Sequence, residues 1–308
     1  MSIQMSEYLS DLFLSDIYPY IESKFRSEDT KKHYRTFLNH ICDFCKKDFV
    51  ELTESDVRRY VDAMMSGTII NANGKPFAKT AISVRLSCLR SIAGSLDESE
   101  GLYPIPFDYS SPFKRLTIAD TPDIKEERVP TVEDIDRILQ FADGQMLALT
   151  LLAYRCCLTV AELMHLEKNQ FAVDGKGRLF IHITPAVAPE RDVKIPDDIR
   201  PEIERHLNRI GPDTNFVFTN KRGGPFIEKT LYTTFRKLVV KAGTSSVWSL
   251  QDIRNAGIVH LLHSKVNPEE VASFLGVLPK WIKRYDKVVE GLDLQPNELS
   301  VVQVKASK

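Results

Sequence analysis

One interruption limits what this chain of 308 residues can fold into. Between Thr117 and Pro130, two prolines, mixed charge and a loss of apolar periodicity replace the regular patterns on either side. A core is not built across such a stretch. Residues 117–130 therefore read as a linker, and the chain divides into domains at 1–116 and 131–290 with a polar tail at 291–308.

The first domain reads as helical. Residues 1–25 form an amphipathic lead-in helix with Leu9, Leu12, Phe13, Ile17 and Ile21 on its apolar side. Ser27-Glu28-Asp29-Thr30 opens a second helix that runs to about Lys47. Thr53-Glu54-Ser55-Asp56 opens another, with Val57, Tyr60, Val61 and Met64 inward and the acids at the positive end of the dipole. Asn71 to Pro76 is a turn, and a helix from Ala78 to about Ser95 carries Ile82, Leu86, Leu89, Ile92 and Ala93. Lys79, Thr80, Ser83, Arg85 and Arg90 lie off that stripe. Short hydroxyls among long cations suit a helix laid against a DNA backbone, and they equally suit a solvated face.

The second domain opens on Thr131-Val132-Glu133-Asp134, a capping box with Ile135, Ile138, Leu139 and Phe141 behind it. An apolar helix follows at Met146–Leu152, then a shorter one with Leu163, Met164 and Leu166. Arg178–Ile183 and Asp192–Ile195 read as strands, Ile199–Ile210 as a helix, and Phe216–Phe218 as a short strand running into a glycine turn at Gly223-Gly224. Thr230–Ala242 is a helix exposing Arg236, Lys237 and Lys241. The fold class is mainly α with a small β-sheet (α+β), with no internal repeat.

Composition excludes some classes. Apolar residues at 43% and charged ones at 27% are ordinary for a soluble domain. No apolar run approaches the roughly 18 residues of a membrane span, and the start lacks a basic, then apolar leader, so no membrane partner and a cytoplasmic location are expected. The net charge of −1, from 41 Lys+Arg against 42 Asp+Glu, is unusual for a nucleic-acid binder. Its distribution is uneven, with a basic balance over residues 24–95 and an acidic one from Asp97 to Glu127. The five cysteines read as reduced thiols. Cys42 and Cys45 form a C-x-x-C near His33 and His40, but they lie on a helical stripe with Tyr34, Phe37, Leu38 and Ile41, and no second pair completes a metal site. No metal and no cofactor are expected.

The most informative stretch runs from Trp248 to Asp286. It contains Gln251-Asp252-Ile253-Arg254, then Phe274-Leu275-Gly276-Val277, then Trp281-Ile282-Lys283-Arg284-Tyr285. It resembles the C-terminal signature of the tyrosine recombinases, the phage integrase and Xer group, where His-x-x-Arg precedes a Leu-Gly-His turn and a nucleophilic Tyr. Cys156-Cys157-Leu158-Thr159-Val160-Ala161-Glu162-Leu163 is similar to that family's Thr-Gly-Leu-Arg-Ile-Ser-Glu-Leu, and Ser111-Pro112-Phe113 to its Asn-Pro-Phe. Thr30, Tyr34, Phe37, Thr53, Asp56, Thr80 and Arg85 follow the order of its N-terminal, SAM-like core-binding domain. The resemblance covers residues 27–287 and implies a catalytic-type domain that clasps double-stranded DNA together with the helical one. Lys79, Thr80, Ser83, Arg85, Arg90, Lys221, Arg222, Arg236 and Lys237 are then the expected DNA contacts.

The same resemblance exposes losses. Strand exchange by phosphotyrosine needs a nucleophile, guanidiniums on the phosphate oxygens and a proton donor for the leaving oxygen. Tyr285, Arg254 and Glu162 stand at family positions, with Tyr285 one residue closer to the Leu-Gly turn than expected. Thr159 replaces the first arginine, Gln251 and Val277 replace the histidines, and residues 179–190 contain no lysine. One lost donor typically costs about 10²–10³ in rate and a lost general acid about 10²–10⁴, non-additively. Arg155, Arg191, Lys194 and Trp281 are the neighbours available as substitutes. The resemblance thus implies a DNA-binding protein of recombination or integration whose site is impaired, acting as a homo-oligomer on DNA or beside a partner recombinase. An active recombinase with a rearranged site is the alternative, and a protein scaffold for an active recombinase a further one.

Overall fold

The computed structural model describes residues 4–25, 28–98, 109–114, 129–184 and 189–292. Its contacts separate into two compact units, 1–125 and 126–308. The expected linker lies largely outside the described residues, as do Ser27 and most of the tail.

In the first unit, the lead-in is a π-helical turn at Phe13–Ile17 running into helix α1 (Tyr18–Ser23). Leu9, Phe13, Ile17 and Ile21 are buried while Leu12 is exposed, a correction to the expected stripe. The cause is the spacing: these residues recur every four positions, and the wider π-turn keeps that interval on one face. Helix α2 (Glu28–Cys45) ends at Lys46, which adopts a left-handed φ of 54°. Its Cys42 and Cys45 are buried, and His40 is engaged with the Tyr60 hydroxyl at 2.6 Å. Helix α3 (Glu54–Ser66) starts on a reciprocal box in which the Thr53 hydroxyl accepts from Asp56 N and Asp56 accepts from Thr53 N. Helix α4 (Lys79–Glu98) packs its Ile82, Leu86, Leu89 and Ile92 against α2 and α3, with Phe113 completing the core.

The second unit begins with α5 (Val132–Phe141), capped by the Thr131 hydroxyl. Asp134 does not reach back to close a box as expected. Its buried carboxylate instead accepts from Ser245 N, Ser245 Oγ and Trp248 Nε1, which ties α5 to the entry of a helix more than a hundred residues away. Phe141, expected inside, is exposed beneath the Lys241 ammonium. Helix α6 (Gly144–Arg155) is buried along nearly its whole length, and α7 (Val160–Met164) is short. The sheet is antiparallel in the order β1 (Phe171–Val173), β2 (Leu179–Ile183), β3 (Arg191–Lys194). The sequence pattern shows β2 and β3 but misses the three-residue β1. Helices α8 (Arg200–Arg209), α9 (Glu228–Ala242), α10 (Leu250–His263), α11 (Pro268–Leu275) and α12 (Asp286–Glu290) complete the unit, with a 3-10 segment at Pro279–Tyr285. Phe216–Phe218, expected as a strand, makes only a single bridge, Glu167 to Phe216, at its start.

One device occurs in both units, although no repeat is expected from the sequence. Asn71 N–H donates to Lys75 O at 2.8 Å, its Oδ1 accepts from Asn73 N at 2.8 Å, and its Nδ2 donates to Pro76 O. Asn220 does the same with Gly224 O, Arg222 N and Pro225 O. Gly74 and Gly223 take φ values of 71° and 80°, and both turns lead into a helix bearing Lys-Thr in its first turn. Asparagine side chains bridge each turn, and Gln145 of α6 holds Thr219 at the base of the second.

The core of the second unit rests on α6 crossing α10. Gly257 makes this possible, because a Cβ there would lie 2.0 Å from Tyr154 O. Beside it the Tyr154 hydroxyl and His260 Nδ1 are 2.6 Å apart and buried. Burial, with His263 and Arg155 nearby, pulls the His260 imidazole down to about 4.

Two outcomes are expected. Gly257→Ala destabilises the second unit by about 3 kcal/mol in urea unfolding, because backbone rather than a flexible side chain must yield. Between pH 6.5 and about 4 the unfolded chain binds a proton at His260 that the folded chain refuses. Stability is therefore complete above the upper limit and declines by up to about 3 kcal/mol as pH falls through that window. Urea titrations at stepped pH read the slope, which His260→Gln removes.

Candidate functional site

Four stretches far apart in sequence meet around Arg254. The first is Cys157–Glu162. Cys157 is buried with a left-handed φ of 51°, a conformation that ordinary side chains adopt at a cost. That twist directs its carbonyl at Arg254, whose Nε donates to it at 2.8 Å. Burial pushes the Cys157 thiol up to about 12, so it is not a nucleophile.

Thr159, standing where the resemblance expects an arginine, is a helix cap. Its hydroxyl accepts from Glu162 N at 3.2 Å, and Glu162 Oε2 accepts from Thr159 N at 2.8 Å. The Thr-x-x-Glu spacing is a capping box written plainly in the sequence. The other oxygen, Glu162 Oε1, lies 2.8 Å from Arg191 Nη2. Arg191 enters from β3 with its side chain only 8% exposed, and its Nε donates to Phe274 O at 3.0 Å. The contact with Glu162 is ionic but off the hydrogen-bond axis, and Arg191 Nη1 has no hydrogen-bond partner among the described residues. The guanidinium packs under the turn at Gly276, 3.3 Å from the position of a Cβ there.

Thr159, Glu162 and Arg254 border a cleft of about 800 Å³ that is also lined by His165, Gln170, Thr184 and Val277. The Arg254 guanidinium with nearby amide and hydroxyl groups could meet an oxyanion, while the Glu162 and Glu167 carboxylates on the same lining oppose one. His165, at the end of α7, is an imidazole in this cleft that the sequence analysis does not single out; nothing in its local pattern marks it.

Tyr285 is placed on the other side of Arg254. It lines a second hollow of about 270 Å³ with Arg254, Val277, Trp281 and Ile282. The Tyr285 side chain is 4% exposed and its hydroxyl donates to Asn255 Oδ1 at 3.0 Å. Gln251 Nε2 donates to the same oxygen at 2.9 Å. Asn255 was not anticipated, although its i+4 spacing from Gln251 is a readable helical pair. The shortened interval to Tyr285 has a geometric counterpart in the 3-10 segment, which rises about 2.0 Å per residue against about 1.5 Å for an α-helix.

The remaining candidates divide. Arg155 does not line the cleft; it pairs with Asp198 at 2.9 Å. Lys194 lies 3.7 Å from Asp197. Trp281 is exposed beside the Tyr285 hollow. Lys79, Thr80, Lys221, Arg222, Arg236 and Lys237 are exposed, and Ser83 is half-buried. Arg85 is half-buried between the Phe37 and Phe77 rings, 4.5 Å from each centroid. Arg90 Nε donates to Phe113 O at 3.0 Å, which anchors the segment after α4. Among the described residues no helix is long and apolar enough to cross a membrane, and no cluster of metal-ligating side chains occurs.

A model of the phage integrase family matches residues 128–277, the span that builds the cleft. The tyrosine recombinase XerC of Oceanobacillus iheyensis is 24% identical over 287 residues, covering 86% of this chain and 88% of that protein. XerD of Corynebacterium glutamicum is 24% identical over 266 residues, covering 81% and 84%. Among solved structures, the Tn1549 transposon integrase in complex with a circular intermediate DNA aligns with a TM-score of 0.63 at 15% identity, over 87% of this chain and 93% of that one. A lambda integrase dimer bound to a COC' core site gives 0.59 at 12%, over 86% and 93%. The largely helical fold with its three-stranded antiparallel sheet is that of the tyrosine recombinase catalytic domain. The phage integrase domain at 128–277, together with the XerC and XerD relatives, supports placing the chain with the tyrosine recombinases of DNA recombination and integration.

Proposed function

We propose that this protein binds duplex DNA in the recombination or integration of a mobile element and no longer cuts it, acting as an accessory, architectural or regulatory factor. The observation that carries this reading is the state of Tyr285. Its hydroxyl is buried and donates to an amide oxygen, Asn255 Oδ1. Attack on phosphorus requires that proton to leave and the oxygen to face the phosphate.

The surroundings support the same reading. The position of the first clamp holds a helix cap, one histidine position holds an amide committed to Asn255, and the other holds Val277. Each change alone removes a donor or a proton carrier, worth about 10²-fold or more in rate. DNA binding is supported by the exposed cations at the two asparagine turns and along α9, namely Lys79, Lys221, Arg222, Arg236 and Lys237. The Tn1549 and lambda integrase structures to which the fold aligns were solved on DNA. The protein would act as a homo-oligomer on its site or beside a partner recombinase that supplies the chemistry.

Arg191 favours a second reading, an active enzyme with a rearranged site. Its guanidinium is buried behind Glu162 and Gly276, which do line the cleft, with Nη1 unbonded among the described residues, so a shift of this side chain could supply a cation in place of the absent arginine. Against this, Glu162 already balances its charge at 2.8 Å.

Two measurements test the proposal. Nicked suicide duplexes, enriched from a random pool for binding, should give no covalent product on denaturing gels. An adduct formed by the wild type and absent from Tyr285→Phe establishes the second reading instead. In mobility-shift titrations, Lys221→Ala with Arg222→Ala should weaken binding to all duplexes and reduce the salt slope by about 2, at roughly 0.9 per lost phosphate contact. An unchanged slope places the DNA elsewhere.

A further inference from the structure

The surface of the second unit changes character between Leu278 and Lys287. Lys280, Lys283, Arg284 and Lys287 are all exposed there against one acid, Asp286, in a chain whose net charge is −1. Leu278 and Trp281 are 60% and 55% exposed, two large apolar groups set close together among these cations. The other tryptophan, Trp248, is buried with its indole N–H donated to Asp134.

The 3-10 winding of Pro279–Tyr285 explains the sorting. With three residues per turn, side chains three apart stack in rows. Ile282 and Tyr285 form the buried row, Leu278, Trp281 and Arg284 a second, and Lys280 and Lys283 a third. The Lys280 ammonium lies over one face of the Trp281 ring, 5.9 Å from its centroid, which leaves the other face for a stacking partner. Trp281 also forms one wall of the 270 Å³ hollow that has Arg254 and Tyr285 on its other sides, a space with room for a nucleobase.

We infer that this segment is a stacking platform for an unpaired nucleotide, so that the protein prefers DNA with a single-stranded or gapped stretch over intact duplex. The inference rests on the DNA-binding reading above and narrows it. An intact duplex presents phosphates to the lysines but keeps its base faces stacked and out of reach of Trp281. An unpaired strand offers both, and base–aromatic stacking beside a basic track is the general mode of single-strand recognition. The row of cations would follow the backbone while the indole takes one base.

The test is fluorescence anisotropy with three probes, an intact duplex, the same duplex with a short gap, and oligothymidylate, together with tryptophan emission. The gapped and single-stranded probes should bind more tightly than intact duplex and quench emission, since Trp281 is the exposed indole. Trp281→Ala should weaken the gapped complex about tenfold, the scale of one lost stack, with little change for intact duplex. Trp281→Phe should restore most of the affinity without the quenching. Replacing Lys280, Lys283 and Lys287 together by Ala should lower the single-strand salt slope by about 2. Equal binding of gapped and intact duplex, or a preference indifferent to Trp281→Ala, overturns the platform and leaves duplex binding standing. Failure to bind any probe overturns both. Quenching by phosphatidylglycerol vesicles but not by oligothymidylate overturns the platform in favour of an anionic membrane surface.

Discussion

The second unit depends on how closely α10 lies against α6. A glycine at 257 lets the helix backbone approach Tyr154 O directly, and the same approach brings Arg254, one turn earlier, to the Cys157 carbonyl. Cys157 can present that carbonyl only from a left-handed backbone, and the loop it belongs to then enters the Thr159–Glu162 cap. One close helix contact therefore aligns the guanidinium, the strained carbonyl and the start of α7. Asp134 serves the other end, holding Trp248 and Ser245 so that α10 begins where it must.

Glu162 holds two parts of the second unit together. One of its oxygens completes a helix cap and the other meets Arg191 from β3, so it links α7 to the sheet regardless of what occupies the cleft. Arg191 in turn holds the Phe274 carbonyl and lies beneath Gly276. The pair would be retained for packing alone, since removing either partner leaves a buried charge unmatched. Glu162 thus has a structural role that does not depend on an arginine at position 159.

Much of the fold was legible because helix signals are local. Thr53, Thr131 and Thr159 each announce a helix through the oxygen they place at its first turn, and the stripes of α3 and α4 follow a regular period. What escaped was set by distance. Phe141 belongs to an apolar pattern yet is exposed under Lys241. Strand β1 has three residues and takes its register from Leu179–Ile181. In the site, the occupants of the family positions were readable, but the Tyr285–Asn255 bond joins residues 30 apart and the Arg191–Glu162 pair residues on different elements. Such pairings come from the assembled backbone, which no window of sequence contains.

The two asparagine turns separate architecture from contact. In each, one amide side chain and one left-handed glycine complete the geometry, and among the described residues the side chains of Ala72, Asn73, Lys221 and Arg222 contribute no bond to it. Those positions are exposed at the apex of each loop. Selection can therefore exchange residues there, in sign of charge or in size, without disturbing the scaffold behind them. Lineages descending from such a protein could diversify at these two tips while the scaffold behind them stays constant.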